Sequence, residues 1–472
     1  MRKTKIICTI GPACDNEETL TALCRAGMNV ARLNFSHGTQ EEHLRRINLI
    51  KAVREKLDLP IAIMLDTKGP EYRIGTFQNG PVALRDGADF TLTTDVVEGD
   101  ETRVSVSYRK LTEELSEGDT VLINNGLVIL TVREIAGSNI LCRVDAGGTL
   151  SDRKSMNFPG KVLRQEFLSE QDRKDILFGL ENDIDFVAAS FVSTREDVQS
   201  IRELLDQNGG RDVDLIAKIE NRSGVDHIEE ICEIADGIMV ARGDLGVEIP
   251  FMEVPALQKY LISKCRMLGK RVITATEMLE SMIHNPRPTR AEISDVANAV
   301  YDGSSAIMLS GETAAGKYPV QAVTTMAQTA AFTEAGIDYG ERFRTMDFRI
   351  HNNLDAISHA TCSMAVDVGA KAIVVNSLSG RTARMVSRFR CPVNIIGTTT
   401  DAKAWRKLNM SWGVTPVLTE AFSSIDVMFW QDLKLAKDLF GLQPGDNVVL
   451  TGGQINGAPG NTNTIKVETV KK

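Results

Sequence analysis

"DLIAKIENRSGVDHIEEICEIADGIMVARG", residues 214–243, decides how this chain is read. It opens on a β-branched apolar run (214–220), passes through a stretch with apolar residues at helical spacing (225–235), and closes on a second apolar run (237–243). Strand, helix, strand in about 30 residues is the unit of a parallel sheet, because parallel strands need a crossover between them. In the first run Lys218 and Glu220 stand two positions apart, so in a strand they share one face.

Outward from that unit, the same alternation fills the chain to about residue 337. Strand-like runs stand at 5–11, 29–35, 61–67, 185–192, 214–220, 237–243, 271–277 and 305–311, with amphipathic helix candidates between them. Eight such units predict an α/β protein built on a closed (β/α)8 TIM barrel, with an open doubly wound sheet as the alternative. One interval breaks the rhythm. Residues 71–160 are rich in Thr and Val with frequent Gly, Asn and Asp, as in "DFTLTTD" and "DTVLINNGLVILTV", which predicts an inserted all-β domain of β-barrel type. Inserted after the third strand, it would overhang the C-terminal mouth of the barrel as a lid. From 338 to 472 an α/β pattern resumes and predicts a third, open-sheet domain. The expected organisation is a discontinuous barrel (1–70 and 161–337), a lid (71–160) and a C-terminal α/β domain (338–472).

The 472 residues are 43% hydrophobic and 25% charged, ample material for several packed cores. Lys and Arg number 54 against 63 Asp and Glu, a net charge of −9. That argues against a nucleic-acid or anionic-membrane surface and leaves room for a local basic pocket around a small phosphate. No apolar run reaches the ~18 residues of a spanning helix. The apolar part of "MRKTKIICTIG" is too short for a signal peptide, so a cytoplasmic location is expected. The eight cysteines include no CxxC pair, and reduced structural thiols are expected.

In a barrel, polar side chains at the C-terminal strand ends are where catalysis sits. Lys218 and Glu220 alone read equally well as a structural ion pair. The other strand ends weigh against that. "ARLNFSHG" supplies Arg32, Asn34, Ser36 and His37, "LDTKGPE" supplies Asp66, Thr67, Lys68 and Glu71, the seventh strand supplies Thr276, and the eighth ends in "SGET". "ARGDLGVE" sets Asp244 between two glycines that would let backbone approach a ligand. Glu220 and Asp244 on adjacent strand ends suit one Mg²⁺ or Mn²⁺, with other positions left to water and substrate oxygens. Asn34, Ser36, Asp66 and Thr67 make an oxygen-rich, weakly charged cluster suited to a monovalent cation, and Arg32 suits bidentate phosphate recognition. The combination fits phosphoryl transfer, in which negative charge must be neutralised at the moving group. "GETAAGKY" (311–318) matches seven positions of a Walker A loop but carries Tyr318 where Ser or Thr belongs. With "TGGQINGAPGN" (451–461) it is read as turn-rich loop.

"NVARLNFSHG", "LDTKGPE", "AKIEN", "GIMVARGDLGVEIP", "NPRPTRAEISDVANAVYDG" and "IMLSGETAAGKYP" resemble, in family order and across nearly the whole chain, the signature segments of pyruvate kinase. The resemblance implies transfer of the phosphoryl group of phosphoenolpyruvate to ADP, giving pyruvate and ATP in the last step of glycolysis. It implies Glu220 and Asp244 as Mg²⁺ or Mn²⁺ ligands, Lys218 on the transferring group, Arg32 on phosphate, and Asn34, Ser36, Asp66 and Thr67 around K⁺. Glu71 stands where K⁺-dependent members carry glutamate. Gly243, Asp244 and Thr276 would line the substrate, with Thr276 near the enolate methylene as it is protonated. Asn34, His37, Arg73 and Lys154 would face the nucleotide under a closed lid. A homotetramer is the family expectation.

"NSLSGRTA" (376–383) resembles the family's sugar-phosphate effector loop, where Ser379, Gly380, Arg381 and Thr382 would take a phosphate; an ordinary strand-to-helix turn is the alternative. "AFSSIDVM" (421–428) lacks the tryptophan and arginine that some relatives use for the second phosphate of fructose 1,6-bisphosphate, so a monophosphate effector or none is expected. Other departures are Tyr72 and Ile74 around Arg73, Ser193 where relatives commonly carry a basic residue, and Ser223 where they carry glutamate. Two further readings stay open at this point: a catalytically weak paralogue serving as a metabolite sensor, and a Mg²⁺-dependent barrel aldolase or lyase.

Overall fold

In the computed structural model, which describes residues 1–453 and 462–471, eight parallel strands close into a barrel. They are Lys5–Thr9, Val30–Asn34, Ala62–Asp66, Phe186–Ala189, Asp214–Ile219, Gly237–Ala241, Arg271–Ala275 and Ala306–Leu309, called first to eighth below. Their near-continuous apolar character follows from burial on both faces. Ile7, Met64, Ile216, Met239 and Ile273 fill the barrel interior, while Ile6, Cys8, Ile63, Leu65 and Leu215 face the surrounding helices. Side chains alternate along a strand, so the face that carries Ile216 inside the barrel carries Lys218 and Glu220 at its mouth. Met410, from the C-terminal part of the chain, joins the interior cluster.

Helix starts are encoded locally. Asn16, Thr39, Ser169, Thr194 and Thr289 each accept a backbone N–H in the first turn of the helix that follows, and three of these form reciprocal capping boxes. The stretch expected as one helix at 225–235 is instead two pieces, Arg222–Asp226 and Ile228–Ile234, hinged at His227. Gly224 N–H bonded to Asn221 Oδ1 starts the first piece early, ahead of the expected helix. "ARGDLGVE" differs too. It forms the helix Arg242–Glu248 with Asp244 in its first turn, and neither glycine needs a left-handed backbone. "GETAAGKY" contains a helical turn, Gly311–Ala314, ahead of the helix Pro319–Ala335. Residues 454–461, most of the second turn-rich expectation, lie outside the described residues.

The segment after the third strand is all-β apart from one helical turn at Leu111–Glu114. Seven of its strands form a sheet running from Tyr72–Arg73 at one edge to Arg103–Ser105 at the other. A bridge between Ile74 and Val106 ties the two edges together, around a core that includes Phe90, Leu92, Val104, Val121 and Leu130. The C-terminal part is a five-stranded sheet: Val414–Leu418, Asn394–Thr399, Ala372–Asn376 and Asn447–Gly453 are parallel, and Thr462–Thr469 pairs antiparallel at the edge. No helix among the described residues is long and apolar enough to cross a membrane. All eight cysteines are free and buried.

Candidate active site at the barrel mouth

Three strand ends meet at Lys218. Its Nζ lies 3.0 Å from Glu220 Oε1 and 3.2 Å from Asp66 Oδ1, and donates to Ser190 Oγ at 2.7 Å. Asp66 Oδ2 accepts from Arg32 Nε at 2.6 Å, and Arg32 Nη1 reaches Thr9 Oγ1 at 2.9 Å. Asp66 and Glu220 are fully buried, and Lys218 and Arg32 nearly so. Burial alone would discharge Lys218, but Asp66 and Glu220 outweigh it and hold the ammonium above its ordinary value. Burial likewise pushes Asp66 up, and Arg32 and Lys218 bring it back below the usual carboxylate range. The mouth therefore sets the Lys218 ammonium and the Arg32 guanidinium on either side of the Asp66 carboxylate.

Glu220 is placed differently. Phe191, in the left-handed region at φ 59°, turns its N–H onto Glu220 Oε2 at 2.6 Å. Oε1 is buried and faces the Lys218 ammonium at 3.0 Å, with no other partner among the described residues. Burial raises Glu220, Asp244 adds to the rise, and Lys218 offsets it in part. A buried carboxylate whose one oxygen faces only the Lys218 ammonium, next to a second carboxylate on the adjoining strand end, fits a dication held by these two protein charges. No group of three or more His, Cys, Asp or Glu suited to a metal occurs among the described residues. The remaining positions would thus belong to water and substrate oxygens.

A cleft of about 390 Å³ opens between the mouth and the β insertion, lined by Asp244, Asn221 and Ser193 on one side and Glu71, Arg73 and Lys154 on the other. Arg73 is held by a two-pronged pair with Glu71, both contacts 2.9 Å, and by Arg153 O at 2.7 Å. Burial raises Glu71, while Arg73 and Lys68 outweigh it and keep it ionised. Asn157 donates to Glu248 Oε1 at 2.8 Å, joining the insertion to the helix that carries Asp244. His37 is exposed and does not line this cleft. Of the monovalent-cation candidates, Asn34 and Asp66 are register partners on the second and third strands. Thr67 follows directly, its Oγ1 accepting from Ser190 N at 3.1 Å, and Ser36 N–H rests on Asn34 Oδ1 at 3.1 Å.

Known proteins match this chain along its length. The family model "Pyruvate kinase, barrel domain" matches residues 1–323, and "Pyruvate kinase, alpha/beta domain" matches residues 355–468. The chain belongs to the pyruvate kinase family. The pyruvate kinase of Clostridium acetobutylicum is 46% identical over 473 residues, covering all of both chains. That of Bacillus licheniformis is 47% identical over all of this chain and 81% of its own length. A crystal structure of a pyruvate kinase from Cryptosporidium parvum superposes with a TM-score of 0.95 at 40% identity, over 99% of this chain and 96% of that one.

Against the pyruvate kinase motifs, reading the sequence missed Ser190 and Thr9. Ser190 bridges Lys218, Asp66 and Thr67, since its Oγ also lies 3.2 Å from Asp66 Oδ1 and donates to Thr67 O at 2.7 Å. It stands inside the apolar run 185–192, where the strand-end rule that points to Thr276 does not reach. Two departures from family pattern touch: Ser223 Oγ donates to Ser193 O at 2.9 Å. Far from the mouth, Ser379 and Arg381 are exposed, Gly380 is left-handed at φ 74°, and Thr382 is buried with its hydroxyl on Thr462 at 2.7 Å. The loop borders a cavity of about 590 Å³ shared with Arg384, Lys403, Lys407 and Arg211.

Proposed function

We infer that this chain is a pyruvate kinase in which Lys218, Arg32, Glu220, Asp244 and Thr276 perform the chemistry. The observation that carries the reading is the Lys218 ammonium, held between Asp66 and a Glu220 oxygen that no other group among the described residues reaches. In the reaction the bond from phosphorus to the enol oxygen of phosphoenolpyruvate breaks, a bond to a terminal oxygen of ADP forms, and the enolate carbon takes a proton. Lys218 offsets charge on the moving phosphoryl group, and Arg32 fixes its orientation. Asp66 keeps both cations aimed at the mouth. Glu220 and Asp244 would hold Mg²⁺ or Mn²⁺, which supplies positive charge to phosphoryl and enolate oxygens. Asn34, Ser36, Asp66 and Thr67 would hold K⁺. Arg73 and Lys154 would meet the nucleotide phosphates across the cleft, with Asn34 and His37 brought closer only by movement of the lid. Thr276 would lie on the face of the enolate where the proton arrives.

The proposal extends to the three-domain partition at 71–160 and 338–472, a cytoplasmic homotetramer, and a phosphate of a sugar monophosphate at Ser379–Thr382. Turnover of phosphoenolpyruvate and ADP, coupled to lactate dehydrogenase and assayed with K⁺ or Na⁺ and with a panel of sugar phosphates, tests the whole. Turnover that survives Lys218→Met would overturn the assignment of the site.

A further inference from the structure

Arg242 has no part in the site described above, yet it grips the end of the seventh strand. Its Nη2 donates to Thr276 O at 2.7 Å and its Nε approaches Ala275 O at 3.4 Å. Nη1 is anchored on Asp295 Oδ1 at 2.7 Å, in the helix Arg290–Asp302, and on Gln258 Oε1 at 3.3 Å. The next residue completes the hold: Gly243 N–H donates to Thr276 Oγ1 at 2.8 Å, and that hydroxyl donates to Ala275 O at 2.6 Å. One dipeptide thus takes both the carbonyl and the hydroxyl of Thr276.

That grip answers a conformational problem. Thr276 and Glu277 sit at φ 68° and 55°, two successive non-glycine residues in the left-handed region, the first β-branched. Such residues cost on the order of 1–3 kcal/mol each and persist only where their surroundings hold them. The turn begins just past Arg271–Ala275, which is fully buried, and leads into Met278 and Leu279, which are buried as well. What the turn changes is the direction in which the Thr276 side chain leaves the barrel.

We propose that Arg242 is a positioning residue, which locks the left-handed turn at Thr276 and fixes its hydroxyl relative to Asp244, two residues beyond Arg242 itself. The inference rests on the phosphotransferase reading above and on Thr276 facing the enolate. Helix Arg290–Asp302 becomes part of the device through Asp295, so the distance between the sixth and seventh strand ends is set by a group outside the barrel wall.

The test uses the full chain with Arg242→Lys, Arg242→Ala and Asp295→Asn. Two rates are read: overall turnover of phosphoenolpyruvate and ADP, and exchange of pyruvate methyl protons with D₂O, followed by proton NMR. Misplacing a reacting group by about 1 Å costs about 100-fold. Arg242→Ala is therefore expected to slow methyl exchange about 100-fold with KM for phosphoenolpyruvate changed less than about 3-fold. Added methylguanidinium should restore part of the exchange. Arg242→Lys, which cannot span Asp295 and Thr276 together, should recover only a fraction, and Asp295→Asn should move both rates the same way by less. Exchange at the wild-type rate in Arg242→Ala overturns the proposal. So does a loss that tracks the folded fraction by circular dichroism and ignores methylguanidinium. A wild-type chain that turns over neither substrate overturns the phosphotransferase reading instead.

Discussion

The same strands carry buried charge at both ends of the barrel, and the two ends treat it in opposite ways. At the floor, Asp214 opens the fifth strand and is closed in by Arg271 at 2.5 Å and Lys407 at 2.8 Å, with Arg384 at 4.0 Å. Asp185, fully buried before the fourth strand, takes Arg406 Nε at 2.7 Å and Ile63 N–H at 2.8 Å. At the mouth, the fifth strand ends in Lys218 and Glu220, where one buried carboxylate oxygen has the Lys218 ammonium as its sole partner among the described residues. Charges closed in by opposite charges from another part of the chain act as fasteners, here between the barrel and the helix Ala402–Leu408 of the C-terminal part. Charges left one partner short have room for a ligand.

The comparison predicts a clean separation of effects. Lys218→Met should lower kcat by at least about 10³-fold in the coupled assay, because a charge aimed at the transferring group is lost from a dry site. The unfolding midpoint should move little, since Glu220, freed of its partner, takes up a proton rather than remaining a bare buried charge. Arg406→Met at the floor should do the reverse. Breaking a buried pair from one side costs about 3–5 kcal/mol, read by denaturant unfolding, while kcat per folded molecule stays near wild type. A floor variant that loses kcat without losing stability would break the distinction. The floor pairs also set an acid limit. Burial raises Asp214, but Lys407 and Arg271 outweigh it and depress it below its ordinary value. Its contribution is therefore complete above the ordinary carboxylate value and is lost as pH falls toward the depressed one.

Glu220→Gln sharpens the comparison at the atom that defines it. The amide keeps the shape and the Phe191 contact but removes the charge from the oxygen beside Lys218. Mn²⁺ affinity, measured by electron paramagnetic resonance without substrate, should fall about 100-fold. Unchanged Mn²⁺ binding would mean that this oxygen is not a ligand.

Much of this was legible in the sequence, for reasons that differ by region. Continuous apolar runs declare strands buried on both faces, and polar residues just past their ends declare the mouth; that is how Lys218, Glu220, Asp66 and Arg32 were found. Ser190 was lost inside an apolar run, because one hydroxyl after "FVAA" has no periodicity to betray it. The floor was invisible. Arg406 and Asp185 are 221 residues apart, and their pairing exists only once two sheets have packed. Arg242 was hidden by its neighbour, since Asp244 explained the motif on its own. The contact between Ser193 and Ser223 shows a further limit: two departures that look independent in sequence share one hydrogen bond in the fold.

Asp432 belongs to neither end and tests whether the rule holds beyond the barrel. It lies on the helix Ile425–Phe440, almost wholly buried against the C-terminal sheet, with Asn376 Nδ2 at 2.5 Å as its hydrogen-bond donor and no cation paired with it among the described residues. Burial pushes it up to about 7, and the Asn376 bond offsets only part of that. A carboxyl raised in the folded state is protonated there while the unfolded chain is already ionised, so it subtracts stability as pH climbs from the ordinary carboxylate value to about 7. Asp432→Asn removes that dependence. Local opening of the helix limits the gain to about 1–2 kcal/mol at pH 8 relative to pH 4, read as the difference in unfolding free energy between variant and wild type. If the variant is no better at pH 8 than at pH 4, Asp432 is ionised in the folded protein. The C-terminal sheet would then hold a counter-charge of the closed kind seen at the barrel floor.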